Sequence, residues 1–186
     1  MPHNHLFIAV VAVWIASELV LGARRHAEAR ASRRDRGSLA LLWIAITAAA
    51  YAGSALRAVR ATRIDGTWAF WTGIALIVAG IVIRWSAILT LRRYFTVDVA
   101  IQQGHELVER GIYSVVRHPS YSGALISFAG LGLAFRNWLS VAVVIITTVA
   151  ALSYRIAVEE RALIDHFGDS YRDYARRTKR LIPGVY

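Results

Sequence analysis

Long apolar runs separated by short basic segments constrain this chain more than any other feature. The first runs from Leu6 to Gly22, the second from Leu39 to Leu56, and the third from Trp68 to Leu91 with Arg84 inside it. Each approaches or exceeds the roughly 17 to 25 residues that carry a helix across a bilayer core. A fourth run, Ser122 to Phe135, and a fifth, Leu139 to Tyr154, flank Arg136, Asn137 and Trp138 as a helical hairpin would. The fourth is short: 14 residues rise about 21 Å as a helix against a hydrocarbon core of about 30 Å. Met1 to His5 carries no Lys or Arg and no cleavage pattern follows, so the first run reads as a retained span rather than a signal peptide.

Composition agrees with an integral membrane protein. Of the 186 residues, 56% are hydrophobic, above the roughly 45 to 50% of soluble globular chains. Absence of cysteine excludes a disulfide framework, a thiolate metal centre and a Cys nucleophile. The net charge of +10 raises the possibility of nucleic-acid binding, but the basic residues track the ends of the apolar runs, which favours lipid headgroups instead. With five spans, one side collects the arginines of the first loop (Arg24, Arg25, Arg30, Arg33, Arg34, Arg36), of the third connection (Arg92, Arg93, Arg110, Arg117) and of the C-terminal segment. The other holds only Arg57, Arg60, Arg63 and Arg136. The excess of cytoplasmic Lys and Arg then puts the N-terminus outside and the C-terminus in the cytoplasm. The expected fold is all-α, about five transmembrane helices ending in a hairpin, with a polar cytoplasmic segment and a C-terminal helix.

Polar chemistry collects in two places. Tyr94 to Tyr121 is broken by Gly104, Gly111 and Pro119. Phe95 to Ile101 reads as extended, and His105 to Glu109 as a short turn or helix. Pro119 opens the fourth helix; the free amides and partial positive charge of such a start suit a carboxylate or phosphate. The second cluster is Arg155, Glu159 and Glu160 at the end of the fifth run. Arg155 and Glu159 are four apart, on one helix face, and a simple ion pair between them is the plain reading. Charge at the edge of hydrocarbon, however, is more often functional.

Other features carry less. Gly130-Leu131-Gly132 lacks the preceding strand and third glycine of a dinucleotide loop, so helix packing explains it. Glycines at 73, 80, 123, 130 and 132 are suited to close helix approach. His105-Glu106 lacks the second His of a zinc-protease helix, and no metal is expected. Arg84 is expected to snorkel to the nearer interface, with Glu18 at the same depth in the first run. The two charges are too few for an ion path. The tryptophans fit packing or an interfacial belt.

GHELVERGIYSVVRHPSYSG, an apolar hairpin, then RIAVEERALIDHFGDSYRDYARRTKRLIP together resemble the isoprenylcysteine carboxyl methyltransferase family and its relatives, the membrane phospholipid methyltransferases. The likeness covers about Phe95 to Pro183 and rests on Gly-x-Tyr-x-x-x-Arg-His-Pro-x-Tyr followed by Arg-x-x-x-Glu-Glu. It implies one membrane domain over 1–186, with three spans in 1–93 and a methyltransferase core in 94–186. It further implies S-adenosylmethionine as cofactor in a cytoplasm-facing pocket, and a lipophilic or prenylated substrate entering from the bilayer.

By this resemblance His105, Glu106, Leu107, Val108, Tyr113, His118, Pro119, Ser120, Tyr121 and Glu159 line the cofactor pocket. Arg155 meets the substrate, and Arg155, Glu159 and Glu160 form the catalytic group. Asp98 stands where the isoprenylcysteine enzymes tend to carry Gln. A prenylcysteine carboxylate is already ionised and needs a cation to orient it, for which Arg155 fits. An aminophospholipid acceptor would need a base, for which Glu159 or Glu160 would serve. Carboxyl O-methylation is the first reading, phospholipid N-methylation the alternative. A non-enzymatic membrane protein of the same fold is the alternative of another class.

Overall fold

In the computed structural model of the chain, residues 2–25, 36–95 and 106–186 are described. Asp98, His105 and the loop residues Arg30, Arg33 and Arg34 lie outside the described residues. The apolar runs all fold as helices: α1 (Pro2–Arg25), α2 (Arg36–Leu56), α3 (Trp68–Leu91), α4 (Pro119–Ala134) and α5 (Trp138–Phe167), followed by a short α6 (Asp169–Arg177). Single 3-10 turns occur at Arg60–Thr62, Arg92–Tyr94 and Gly111–Ser114. Among the described residues, three stretches are long and apolar enough to cross a bilayer: Gly37–Leu56, Trp68–Leu91 and Trp138–Phe167. The apolar part of α1 is His5–Leu21, and α4 has 16 residues, about 24 Å of rise.

Two details differ from the sequence reading. The apolar run ends at Tyr154, yet α5 continues unbroken to Phe167, because Arg155 to Leu163 is made of residues with good helix propensity. Glu106 to Glu109 is irregular, and the helical turn expected over His105 to Glu109 occurs later, at Gly111–Ser114.

The α4–α5 corner is set by two residues. Arg136 adopts a left-handed φ of 55°, and Asn137 caps α5 by accepting from the amides of Leu139 (3.0 Å) and Ser140 (3.2 Å). α5 then packs on α2, where Ser140 Oγ donates to the Gly53 carbonyl at 2.6 Å. Trp14, Ile77, Leu131, Phe135 and Val144 form the main apolar cluster, so α1, α3, α4 and α5 share one core.

The tightest contact is between α3 and α4. A Cβ placed on Gly73 would lie 2.6 Å from the Gly130 carbonyl oxygen, and one on Gly130 would lie 2.6 Å from that of Gly73. Gly80 and Gly123 repeat the relation, seven residues after Gly73 on α3 and seven before Gly130 on the antiparallel α4. Backbone touches backbone along this seam, which supplies the van der Waals contact that holds helices together where lipid offers no hydrophobic drive. Gly123→Val is therefore expected to destabilise the detergent-solubilised bundle by about 3 kcal/mol, the upper part of the range for overpacking. Thermal unfolding followed by tryptophan fluorescence checks this, with Gly37→Val as the neutral control because nothing lies within 4 Å of the place a Cβ would take there. Equal melting temperatures for the two variants would refute the seam.

Candidate active site

At the end of the bundle where α3 and α5 finish and α4 begins, a cavity of about 660 Å³ opens among the helices. Its polar end is formed by Arg155, Glu159, His118 and Tyr113. Its deeper wall is apolar, with Trp14, Ile46, Phe128, Leu131 and Leu152. From Tyr121 to Leu131 along α4 the lining extends about 15 Å, enough to take an extended hydrocarbon chain with its head among the charges.

Arg155 is 1% exposed. Its Nη1 donates to Ser38 Oγ on α2 at 2.5 Å, and its Nε to the Tyr121 hydroxyl on α4 at 3.4 Å. The guanidinium thus reaches across the bundle to α2 and α4, contacts that the i, i+4 spacing to Glu159 does not reveal. Glu159 faces the cavity, and its Oε2 is buried without a hydrogen-bond donor among the described residues. A buried carboxylate oxygen in that condition is costly and keeps its capacity to accept a hydrogen bond.

The neighbouring Glu160 does the opposite. It is 7% exposed and outside the cavity lining. Its Oε1 accepts from Arg117 Nε at 2.9 Å, and its Oε2 from Arg180 Nε at 3.0 Å and Nη2 at 2.8 Å. The Tyr171 hydroxyl stands 3.4 Å from Oε1. Burial, with Glu160 adding to it, pushes the Tyr171 phenol well above its usual range, so it stays a neutral donor. Arg117 also donates to the Ala175 carbonyl at 2.9 Å and to that of Thr178. One carboxylate thereby ties α5, the turn before α4, α6 and the C-terminal segment together.

His118 lies between the two carboxylates, Nε2 3.4 Å from Glu160 and Nδ1 3.9 Å from Glu159. Its amide donates to the Arg180 carbonyl at 3.0 Å, and that of Arg117 to Lys179 at 2.7 Å. Its ring stacks on Tyr121 with centroids 5.7 Å apart. Pro119 occupies the first turn of α4 as expected, but away from the cavity lining. The amides of Tyr121 and Ser122 both turn to the His118 carbonyl at 3.0 Å, so the helix start offers fewer free donors than the sequence implies. Ser120, Tyr121, Glu106, Leu107 and Val108 all reach the cavity. Tyr113 is buried beside Glu159, and burial first, then that carboxylate, raises its phenol far above the usual range.

Arg84 corrects the sequence reading. It does not snorkel: its Nε and Nη2 grip Glu18 of α1 at 2.5 and 2.7 Å, and its Nη1 reaches Ser120 Oγ at 2.7 Å. Inside apolar surroundings a fork on a carboxylate leaves less charge unsatisfied than a lone guanidinium does. The signal for this pair is present in the sequence, since Glu18 and Arg84 are opposite charges in otherwise apolar runs. Ser38, Arg180 and Tyr171 have no such signal.

A helical bundle with membrane-length apolar helices and a cavity that joins a charged end to an apolar wall defines an integral membrane protein. The chain belongs to the isoprenylcysteine carboxyl methyltransferase (ICMT) family, whose model matches residues 73–165, half of its length. It is similar to protein-S-isoprenylcysteine O-methyltransferase B of Arabidopsis thaliana, 34% identical over 120 residues that make up 63% of this chain and 61% of that protein. A probable protein-S-isoprenylcysteine O-methyltransferase of Oryza sativa subsp. japonica is 29% identical over 187 residues, 97% of this chain and 95% of that one. The solved structure of the eukaryotic intramembrane Ras methyltransferase ICMT, without a monobody, superposes with a TM-score of 0.60 at 28% identity, covering 80% of this chain and 51% of that one. The chain thus spans about half the length of that solved protein.

Proposed function

We propose that the protein is a membrane-embedded S-adenosylmethionine-dependent methyltransferase that esterifies the carboxylate of a lipophilic substrate of isoprenylcysteine type. The observation that carries this reading is the cavity with Arg155 at its polar end and an apolar trunk behind it. In this reading five helices cross the bilayer, and the polar end faces the cytoplasm.

The residues present fit the cofactor. The orphaned Glu159 Oε2 is placed to take an ammonium, and His118, Tyr113 and the backbone at Glu106 to Val108 stand around it. When bound, S-adenosylmethionine supplies an electrophilic methyl on a sulfonium. A substrate carboxylate is already the nucleophile at neutral pH, so this chain needs no base. Its task is alignment, which alone is worth several kcal/mol. Arg155, positioned by Ser38 and Tyr121, would supply the cation that orients the substrate carboxylate. The trunk buries the hydrocarbon and fixes which end reaches the charges. Glu160, with its oxygens engaged by Arg117 and Arg180, serves as the clamp that shapes the site. With Glu159 given to the cofactor ammonium in this reading, neither carboxylate is left to act as a base, which favours the carboxyl acceptor over an amine.

Labelled cofactor with N-acetyl-S-farnesylcysteine and, separately, with phosphatidylethanolamine separates the acceptors; a base-labile product is expected from the first and none from the second. Arg155→Ala is expected to reduce ester formation about a hundredfold, within the roughly 2 to 5 kcal/mol for truncating one side of a buried charged contact, while cofactor affinity changes less than about threefold. Equal losses in both would contradict the role of Arg155.

A further inference from the structure

The end of the bundle opposite Glu160 carries a second cavity, about 570 Å³, between the α2–α3 loop and the α4–α5 corner. Its wall combines Arg57, Arg60, Arg63 and Arg136 with the rings of Phe70 and Trp71. The loop bearing three of these arginines is pinned to the corner bearing the fourth. Asn137, fully buried, donates from Nδ2 to the Val59 carbonyl at 2.9 Å and accepts from Thr62 Oγ1 at 3.0 Å. The Ile64 amide donates to the Arg136 carbonyl at 2.9 Å. The arginines are therefore gathered by a built framework.

Two observations point to a ligand. First, none of the four guanidinium groups is paired with a carboxylate among the described residues, and Asp65, the single acid of this loop, is outside the cavity wall. At the other end of the bundle Arg84, Arg117 and Arg180 are all engaged by glutamates. Second, Arg136 Nε is buried with no hydrogen-bond acceptor among the described residues, a donor left unsatisfied there. The depth is marked by Trp68, Trp71 and Trp138, exposed by 52%, 46% and 55% at the starts of α3 and α5, as side chains of an interfacial belt are. The cavity thus opens at headgroup level, on the face where arginines run against the orientation bias of the rest of the chain.

We infer that this cavity binds a phosphate group of net negative charge, as carried by an anionic phospholipid headgroup or by free phosphate, with the guanidinium forks on the phosphate oxygens and the aromatic side chains against the glycerol and acyl stem. The two cavities lie at opposite ends of the bundle, so this site stands independently of the methyl-transfer reading.

The test uses the purified full chain in neutral detergent, titrated with short-chain phosphatidylglycerol, with phosphatidylcholine of the same chain length and with inorganic phosphate. Phosphatidylglycerol is expected to bind saturably and about tenfold more tightly than phosphatidylcholine, less so at high salt. Each arginine removed, in R60Q and then R60Q/R136Q, is expected to weaken it about fivefold, the equivalent of roughly 1 kcal/mol per basic residue at a membrane surface. S-adenosylmethionine binding should be unchanged in both. R57Q/R60Q repeats the test on exposed loop positions if the corner does not tolerate loss of Arg136. Arginine-dependent binding of inorganic phosphate that phosphatidylglycerol fails to displace assigns the site to the free anion. Equal affinity for the two lipids with no phosphate binding, or arginine variants that bind anions as the parent does, would overturn the inference.

Discussion

Glu159→Gln is expected to weaken S-adenosylmethionine binding about a hundredfold while leaving the fold intact. The two halves of this expectation come from the same atom. Oε2 has no hydrogen-bond donor among the described residues, so changing it is expected to cost the fold little. It faces the cavity from a mostly buried position, so an ammonium placed against it would lose a charge-assisted contact of roughly 2 to 5 kcal/mol, of which a hundredfold is about 2.7 kcal/mol. Calorimetric titration of the detergent-purified variant measures the affinity, and its melting temperature reports the fold. An affinity within about threefold of the parent would remove Glu159 from the cofactor site.

Glu160→Ala should have the reverse signature, a loss of stability of about 3 to 5 kcal/mol, the usual cost of stranding the partners of a buried ion pair. Arg117 and Arg180 would be left facing each other with no anion between them. Because such a variant is expected to express poorly, Arg180→Gln gives the finer measurement. It removes only the C-terminal share of the clamp, so the bundle should stay folded while trypsin gains access at Lys179. A Glu160→Ala protein that melts with the parent would show that the clamp is not what secures the C-terminal segment.

The helices are legible in the sequence because hydropathy over a span is a sum over many residues and tolerates local error. The paired motif blocks are legible for a different reason, being too specific for span composition to produce. What escapes is most of the partnerships across the bundle. Spacing along a chain identifies neighbours on one helix, as with Arg155 and Glu159, but says nothing about whether Ser38, 117 positions away, will compete for the same guanidinium. The two carboxylates of the Glu-Glu pair look equivalent in sequence. On a helix they point about 100° apart, and that rotation sends one into the cavity and the other into the clamp. Arg84 is misplaced by sequence reasoning because snorkelling is judged from one helix, whereas its partner Glu18 belongs to another.

The glycine seam between α3 and α4 also works as a vernier. Its contacts recur at seven-residue steps, Gly73 with Gly130 and Gly80 with Gly123, so the two helices interlock at one relative height. The next height at which glycine again meets glycine is a slide of about 10.5 Å, far more than the bonded ends of the helices allow. That setting brings Arg84, four residues beyond Gly80, level with Ser120, three before Gly123, and so holds Glu18 at the rim of the cavity. The position of the charged side chains around the cavity is thus calibrated by residues that have no side chain at all.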